Sequence, residues 1–336
     1  MNKTTIKDVA KIADVSPSTV SRVISDSPNI SQETKERVKK VMEKINYHPN
    51  KIARSLVNQQ TNTIGLVMSR STDMAFSNPF FSEIISGIAR IAKSKHYNLL
   101  ISASEDYYTE YEETIELVKN GSVDGLLLMA SRINDQLLKS LQSFNEPFVL
   151  IGRSPEHTDI PRIDNDNIKA AFKMVKYLIE KNNKDIAIIS GPAEYIVSQD
   201  RIHGYKTALA EYNINYNSNL IQYTDFSYES GYQAAEKLLN LQQNIDVIFA
   251  LDDLLAISAI NCIKDKNLDI PENIGVVGFN DQPIASYIEP NLTTVKVPIM
   301  DMGLKATEML IKMINNNEYQ GEELIIPTEL MLRNTH

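Results

Sequence analysis

The sequence predicts an α/β protein in two parts: a short helical head, and behind it a body of two lobes built on parallel sheets. Three observations carry that expectation. Residues 5–46 hold apolar stripes at helical spacing, each behind a capping residue. From Ile64 onward, short apolar runs alternate with amphipathic stretches, and the alternation runs twice. The charge is also divided. Residues 1–62 carry eleven Lys and Arg against six Asp and Glu, whereas the remainder carries 23 against 37. The net charge of −9 over 336 residues therefore hides a basic arm on an acidic body, which suits phosphate contact at one end.

In the head, Thr5 and Asp8 form a capping box for a first helix, with Ile6, Val9, Ala10 and Ala13 on its apolar face. Ser16 caps a second helix with Pro17 at its first position. Val20, Val23 and Ile24 face inward there, leaving Pro17, Ser18, Ser21 and Arg22 outward. Two helices meeting at a corner form the helix-turn-helix arrangement that reads a major groove, although the same residues would also make a plain helical hairpin. Ser31 caps a third helix running to about Asn46, closed by Val38, Val41, Met42 and Ile45. Pro49 then breaks the helix. Asn50 caps a segment of about eight residues, KIARSLV, too short to hold alone in water. Its Leu56 either wedges between base steps of a minor groove or packs on the body. A polar linker, 58–63, follows.

The body reads as strands Ile64–Met68, Asn98–Ser102, Gly125–Ala130 and Phe148–Ile151, with helices near Phe80–Lys95, Thr109–Asn120 and Asp135–Phe144. A second set follows: strands Ile186–Ser190, Asn219–Tyr223, Val247–Leu251 and Gly275–Phe279, and helices near Asn167–Lys181, Gln199–Tyr212, Tyr228–Leu239 and Leu254–Lys266. Two such lobes in series suggest a closing body with a ligand between them.

Catalytic constellations are missing. There is no phosphate-cradling glycine loop and no nucleophile elbow, and the five histidines have no metal-ligand spacing with each other or with the single Cys262. No enzyme activity, cofactor or metal is expected. No run of 18 apolar residues and no leader pattern is present, so a cytoplasmic protein without a membrane segment is expected. Binding has better candidates, because ligands of open α/β sheets sit beyond the carboxyl ends of the strands. Ser69, the Asn78–Phe81 turn with Phe80, Asp252 and Asn280 all follow strands. Arg201, Asp252 and Asn280 offer planar polar groups for sugar hydroxyls, and Phe226 offers a face for a sugar ring. Phe80 and Phe226 would serve equally as core, and Asp252 as a helix cap.

Residues 5–63, with T-I-K-D-V-A, V-S-x-x-T-V-S-R-V, Y-x-P-N and A-R-S-L, resemble the lactose/galactose repressor family. The resemblance continues through I-G-L-V, N-P-F-F and G-F-N-D to the closing strands, nearest to maltose-operon repressors of Gram-positive bacteria. It implies a type I periplasmic-binding-protein body, with the chain crossing between lobes near 162, 291 and 321. The expected domains are a helix-turn-helix head at 1–49, a hinge helix and linker at 50–62, and a body at 63–336. Lobe 1 would span about 63–161 and 292–320, and lobe 2 about 162–291 and 321–336. The resemblance places Ser16, Pro17, Ser18 and Arg22 on base edges and Leu56 in the minor groove. Thr5, Ser21, Asn29, Tyr47, Asn50 and Ala53 complete the candidate DNA face. Pro17 replaces a large polar side chain, which shifts readout toward Ser18 and Arg22. In S-x-x-R-x-x-G-Y, Arg201 matches the family's effector-binding arginine, and Phe226 matches its stacking aromatic. Asp252 and Asn280 match polar effector contacts, Asn280 standing where many members have aspartate.

The implied protein is a transcription regulator, most simply a repressor of a carbohydrate operon, binding palindromic operator DNA as a homodimer and switched by a small sugar. Maltose or a maltodextrin is the expected effector. A global regulator working with a phosphorylated protein corepressor is the alternative. The sequence ends just past its last strand with no heptad tail, which favours a dimer over a tetramer.

Overall fold

Short helices with little intrinsic stability must be held by a shared core, and the head shows how few residues suffice. The computed structural model describes residues 4–47, 60–68, 76–104, 106–129, 132–133, 135–144, 146–241, 243–316 and 322–336. Helices α1 (Ile6–Ile12), α2 (Pro17–Ile24) and α3 (Gln32–Lys44) enclose buried Val9, Ala10, Ala13, Val20, Val23 and Val38. The caps form as expected. Thr5 donates its N–H and hydroxyl to Asp8 Oδ2 at 2.8 and 2.7 Å. Ser16 Oγ accepts from the Thr19 N–H at 3.1 Å, and Ser31 Oγ from the Thr34 N–H at 3.4 Å. Asp14 takes a left-handed φ of 51° in the corner between α1 and α2. The expected hinge at 50–57, with Asn50, Ala53 and Leu56, lies outside the described residues.

The chain divides into two compact units, residues 1–61 and 62–336. In the second, β1 (Thr63–Met68), α4 (Pro79–Ser94), β2 (Asn98–Ala103), α5 (Tyr107–Lys119), β3 (Gly125–Met129), α6 (Gln136–Phe144), β4 (Phe148–Ile151) and β5 (Arg162–Asp164) build the first lobe. The second lobe contains α7 (Asn167–Glu180), β6 (Ile186–Ser190), α8 (Ile196–Glu211), β7 (Ile221–Tyr223), α9 (Tyr228–Leu239), β8 (Val247–Ala250), α10 (Asp253–Asp265), β9 (Gly275–Asn280) and β10 (Thr293–Lys296). Then α11 (Ile299–Asn316) and β11 (Glu323–Ile325) return to the first, and β12 (Glu329–Met331) ends in the second. The sheet orders are β11-β5-β4-β3-β1-β2 and β12-β10-β9-β8-β6-β7, parallel except for the β10–β12 pair.

The unbroken apolar runs reflect cover on both faces. In β1, Ile64, Leu66 and Met68 face the core shared with α4 and α11, whereas Val67 faces the one shared with α5 and α6. In β6, Ile186 and Ile188 face α7 and α8, whereas Ala187 and Ile189 face α9 and α10. Helix α4 sits so close to α11 that a Cβ on Gly87 would fall 2.3 Å from the Met300 carbonyl oxygen.

Strand pairing moves the lobe crossings later than the expected 162, 291 and 321. β5 pairs with β4 and with β11, so Arg162–Asp164 and Glu323–Ile325 belong to the first sheet. β10 pairs with β9 and keeps Thr293–Lys296 in the second. These strands are three or four residues long with charged members, so no apolar run marks them. No helix among the described residues is long and apolar enough to cross a membrane.

Candidate functional site

The carboxyl ends of both sheets open onto one cleft between the lobes. Its volume, counted out to its open mouth, is about 850 Å³. Phe80, Arg201, Phe226, Asp252 and Asn280 all line it, so five of the six effector candidates converge; the sixth, Ser69, lies outside the described residues.

Arg201, on the first turns of α8, is buried at the cleft floor. Its Nε donates to Asn167 Oδ1 at 2.9 Å, one Nη donates to the Leu251 carbonyl at 2.5 Å, and the guanidinium carbon lies 3.6 Å from the Phe279 ring centroid. Burial lowers its pKa to about 10 against the pull of Asp252, Asp164, Asp253 and Asp200, so it stays charged. Asp252 caps a helix and also lines the cleft. Its Oδ1 accepts from the Leu254 N–H and caps α10, while Oδ2 accepts from Asn280 Nδ2 at 2.9 Å and from Asn78 Nδ2 at 3.3 Å. Phe226 is likewise both core and cleft wall, in a left-handed φ of 70°. It rests on Gly191, where a Cβ would stand 1.9 Å from the ring. Asn280, at φ 116°, leaves its buried Oδ1 without a partner among the described residues, an acceptor waiting for a donor.

Five further residues, Arg153, Asp164, Asn165, Asn167 and Asp200, enter the wall that sequence reasoning passed over. Arg153 follows β4 and holds both oxygens of Asp200 on α8 through Nε and Nη2. Asp164 ends β5, and Asn165 and Asn167 follow it. Burial foremost, with Asp200 adding to it, pushes Asp164 up to about 7. Arg153 was findable by the same strand-end rule that found Asp252, whereas Asp164 was hidden by the missing strand.

Contacts cross the cleft in three places among the described residues. Asn78 of the first lobe bonds Asp252 and also accepts from Gln282 Nε2 at 3.0 Å. Arg153 pairs with Asp200. Arg132 bridges antiparallel to Tyr195, its guanidinium 5.3 Å from that ring, while the Ile133 N–H donates to the Glu194 carbonyl at 3.2 Å.

On the head, Thr5, Ser16, Pro17, Ser18, Ser21, Arg22 and Asn29 are exposed, and Tyr47 is half-buried against the head core. The hydroxyl of Ser16 lies 2.7 Å from that of Ser18, so the two are locked to each other and to the cap. Lys35 is committed within the fold, bonding the Asp26 carboxylate at 2.7 Å and its carbonyl at 3.2 Å.

Residues 61–334 match the family described as periplasmic binding proteins and sugar binding domain of LacI family, and residues 5–50 match bacterial regulatory proteins of the lacI family. The chain belongs to the LacI family. It is similar along almost its whole length to the HTH-type transcriptional regulator MalR of Streptococcus pneumoniae, 38% identical over 319 residues and 94% of each chain. Among solved structures, the transcriptional regulator CelR–cellobiose complex matches 99% of this chain and 100% of its own, at 30% identity and a TM-score of 0.77. The lac repressor dimer bound to operator and the anti-inducer ONPF matches 99% of each chain, at 25% identity and a TM-score of 0.88. This LacI-family protein is a DNA-binding transcription regulator rather than an enzyme.

Proposed function

We propose that this regulator represses a carbohydrate-utilisation operon, binding a palindromic operator as a homodimer and releasing or tightening its hold when a small sugar enters the cleft. The observation that carries the reading is the cleft itself. Arg201, Asn280 and Asp252 present planar polar groups beside the Phe226 ring, and the hydrogen bonds around them cross between lobes. A ligand that bonds both walls favours one lobe angle and so biases a two-state body. Maltose or a maltodextrin is the effector favoured by the sequence resemblance. A glucose disaccharide is also supported by the cellobiose complex of the CelR relative. The operator-bound lac repressor dimer supports two reading heads on one duplex. Ser16, Pro17, Ser18 and Arg22 are assigned to base edges, with Ser18 and Arg22 carrying most of the direct readout, and Leu56 to the minor groove.

Band-shift titration on an operator-like palindrome tests this directly, with maltose, maltotriose, cellobiose, glucose and ribose added in turn. The expected result is a change in operator affinity with one of them, abolished in Arg201→Ala although that variant still binds the duplex. Specific binding that no sugar alters would redirect attention to a protein corepressor. No specific binding at low salt would overturn the reading.

A further inference from the structure

The first-lobe wall of the cleft carries an acid that neither caps a helix nor belongs to the matched effector residues. Asp164 is 3% exposed at the end of β5. One oxygen, Oδ1, accepts from the Asn165 N–H at 2.9 Å and from Asn167 Nδ2 at 3.3 Å. The other, Oδ2, has no donor among the described residues, although Asp164 lines the cleft.

The charges facing it come from every element around the cleft. Arg153 stands beyond β4, but its guanidinium is engaged by both oxygens of Asp200. Arg201 on α8 spends Nε on Asn167 and one Nη on the Leu251 carbonyl, beside Asp252, Asp164 and Asp200. The cleft lining thus sets three carboxyl groups against two guanidiniums, Arg153 being ion-paired to Asp200 and Arg201 lying near Asp252, Asp164 and Asp200. Resting on the reading of this cleft as the effector site, we propose that Asp164 is a specificity-determining residue that accepts a hydroxyl of an uncharged polyol and turns away phosphorylated or carboxylated ligands. A hydroxyl supplies the donor that Oδ2 lacks. An added phosphate brings more negative charge to a wall where Asp164 already resists ionisation. Like charges a few ångströms apart in a partly dry site repel strongly enough to weaken binding about 100-fold.

Isothermal titration of the full chain tests this with maltose, cellobiose and glucose, each paired with its 6-phosphate, on the wild type and on Asp164→Asn. The substitution is near-isosteric and preserves an acceptor at Oδ1, and circular dichroism checks its fold. The expected result is a neutral sugar bound by the wild type about 100-fold more tightly than its phosphate, with that gap at least tenfold narrower in Asp164→Asn. The wild type supplies a second test: affinity for the neutral sugar rises as pH rises from 6 to 8, since its hydroxyl prefers the ionised carboxylate. A phosphate binding the wild type as tightly as its parent sugar overturns the proposal but spares the cleft. An unchanged gap in the variant does the same. If none of these sugars or phosphates binds, the effector-cleft reading falls and the proposal falls with it.

Discussion

Gly191 is where the cleft depends most on a missing methyl group. Its Cβ would overlap the Phe226 ring, so Gly191→Ala must push the ring into the cleft or away from its core. We expect at least a tenfold loss of effector affinity in titration, with operator binding by the head intact. Asp164 gives a pH prediction. In the folded chain it titrates near 7, against 3.8 for an unperturbed aspartate, so between about pH 4 and 7 the native state holds a proton that the unfolded chain releases. Stability from this residue therefore falls as pH rises through that window, by at most about 1.4 kcal/mol per unit. In denaturant melts from pH 4 to 8, the wild-type advantage over Asp164→Asn should shrink up to about pH 7 and then level off. A constant difference would contradict the shift. These two residues also mark how far the sequence could be read. Phe226 and Arg201 lie in motifs with a matching pattern, and Asp252 and Asn280 follow strands that announce themselves. Nothing local marks Gly191 as a platform or joins Asp200 to Arg153, 47 positions away; only the folded chain brings them together.

At the scale of elements, caps and apolar stripes made the head legible. Ser16 shows what one cap contributes: its Oγ receives the Thr19 N–H and meets the hydroxyls of Ser18 and Thr19. Ser16→Ala should destabilise the head by about 1 kcal/mol. It should also free Ser18, so a melt and an operator titration would both register it; an unchanged melt would show the cap to be inert. In the body, strands buried on both faces were readable because nearly every position is apolar. Short β5 and β10, with Arg162, Asp164 and Lys296, lack that signature and are fixed by backbone pairing to neighbours already in place. Helix α8 began earlier than expected for a related reason. Its first turns bury the polar Ser198, Asp200 and Arg201, the last two lining the cleft, and these break the one-sided apolar pattern.

At the scale of the molecule, side-chain contacts across the cleft hold the lobes at their present angle. Arg153 and Asp200 are the one charged pair spanning the cleft among the described residues, with Asp200 almost fully buried and Arg153 about a third exposed at 32%. Removing the cation strands a buried carboxylate, which destabilises more than the pair itself contributes. Arg153→Met should therefore lower body stability by about 1–3 kcal/mol, discounted for the exposure of Arg153. Adding Asp200→Asn should restore part of that loss, a non-additivity a double-mutant cycle would measure. The same pair reports on switching. Without it the free body spends more time open, and an effector bridging both walls must supply the closure. Its apparent affinity falls by the fraction of closed molecules lost. Small-angle scattering should show a larger radius of gyration for ligand-free Arg153→Met, returning toward the wild-type value at saturating sugar. An unchanged radius together with an unchanged effector affinity would mean that Asn78, Gln282 and the Arg132–Tyr195 bridge hold the lobes without help from the ion pair.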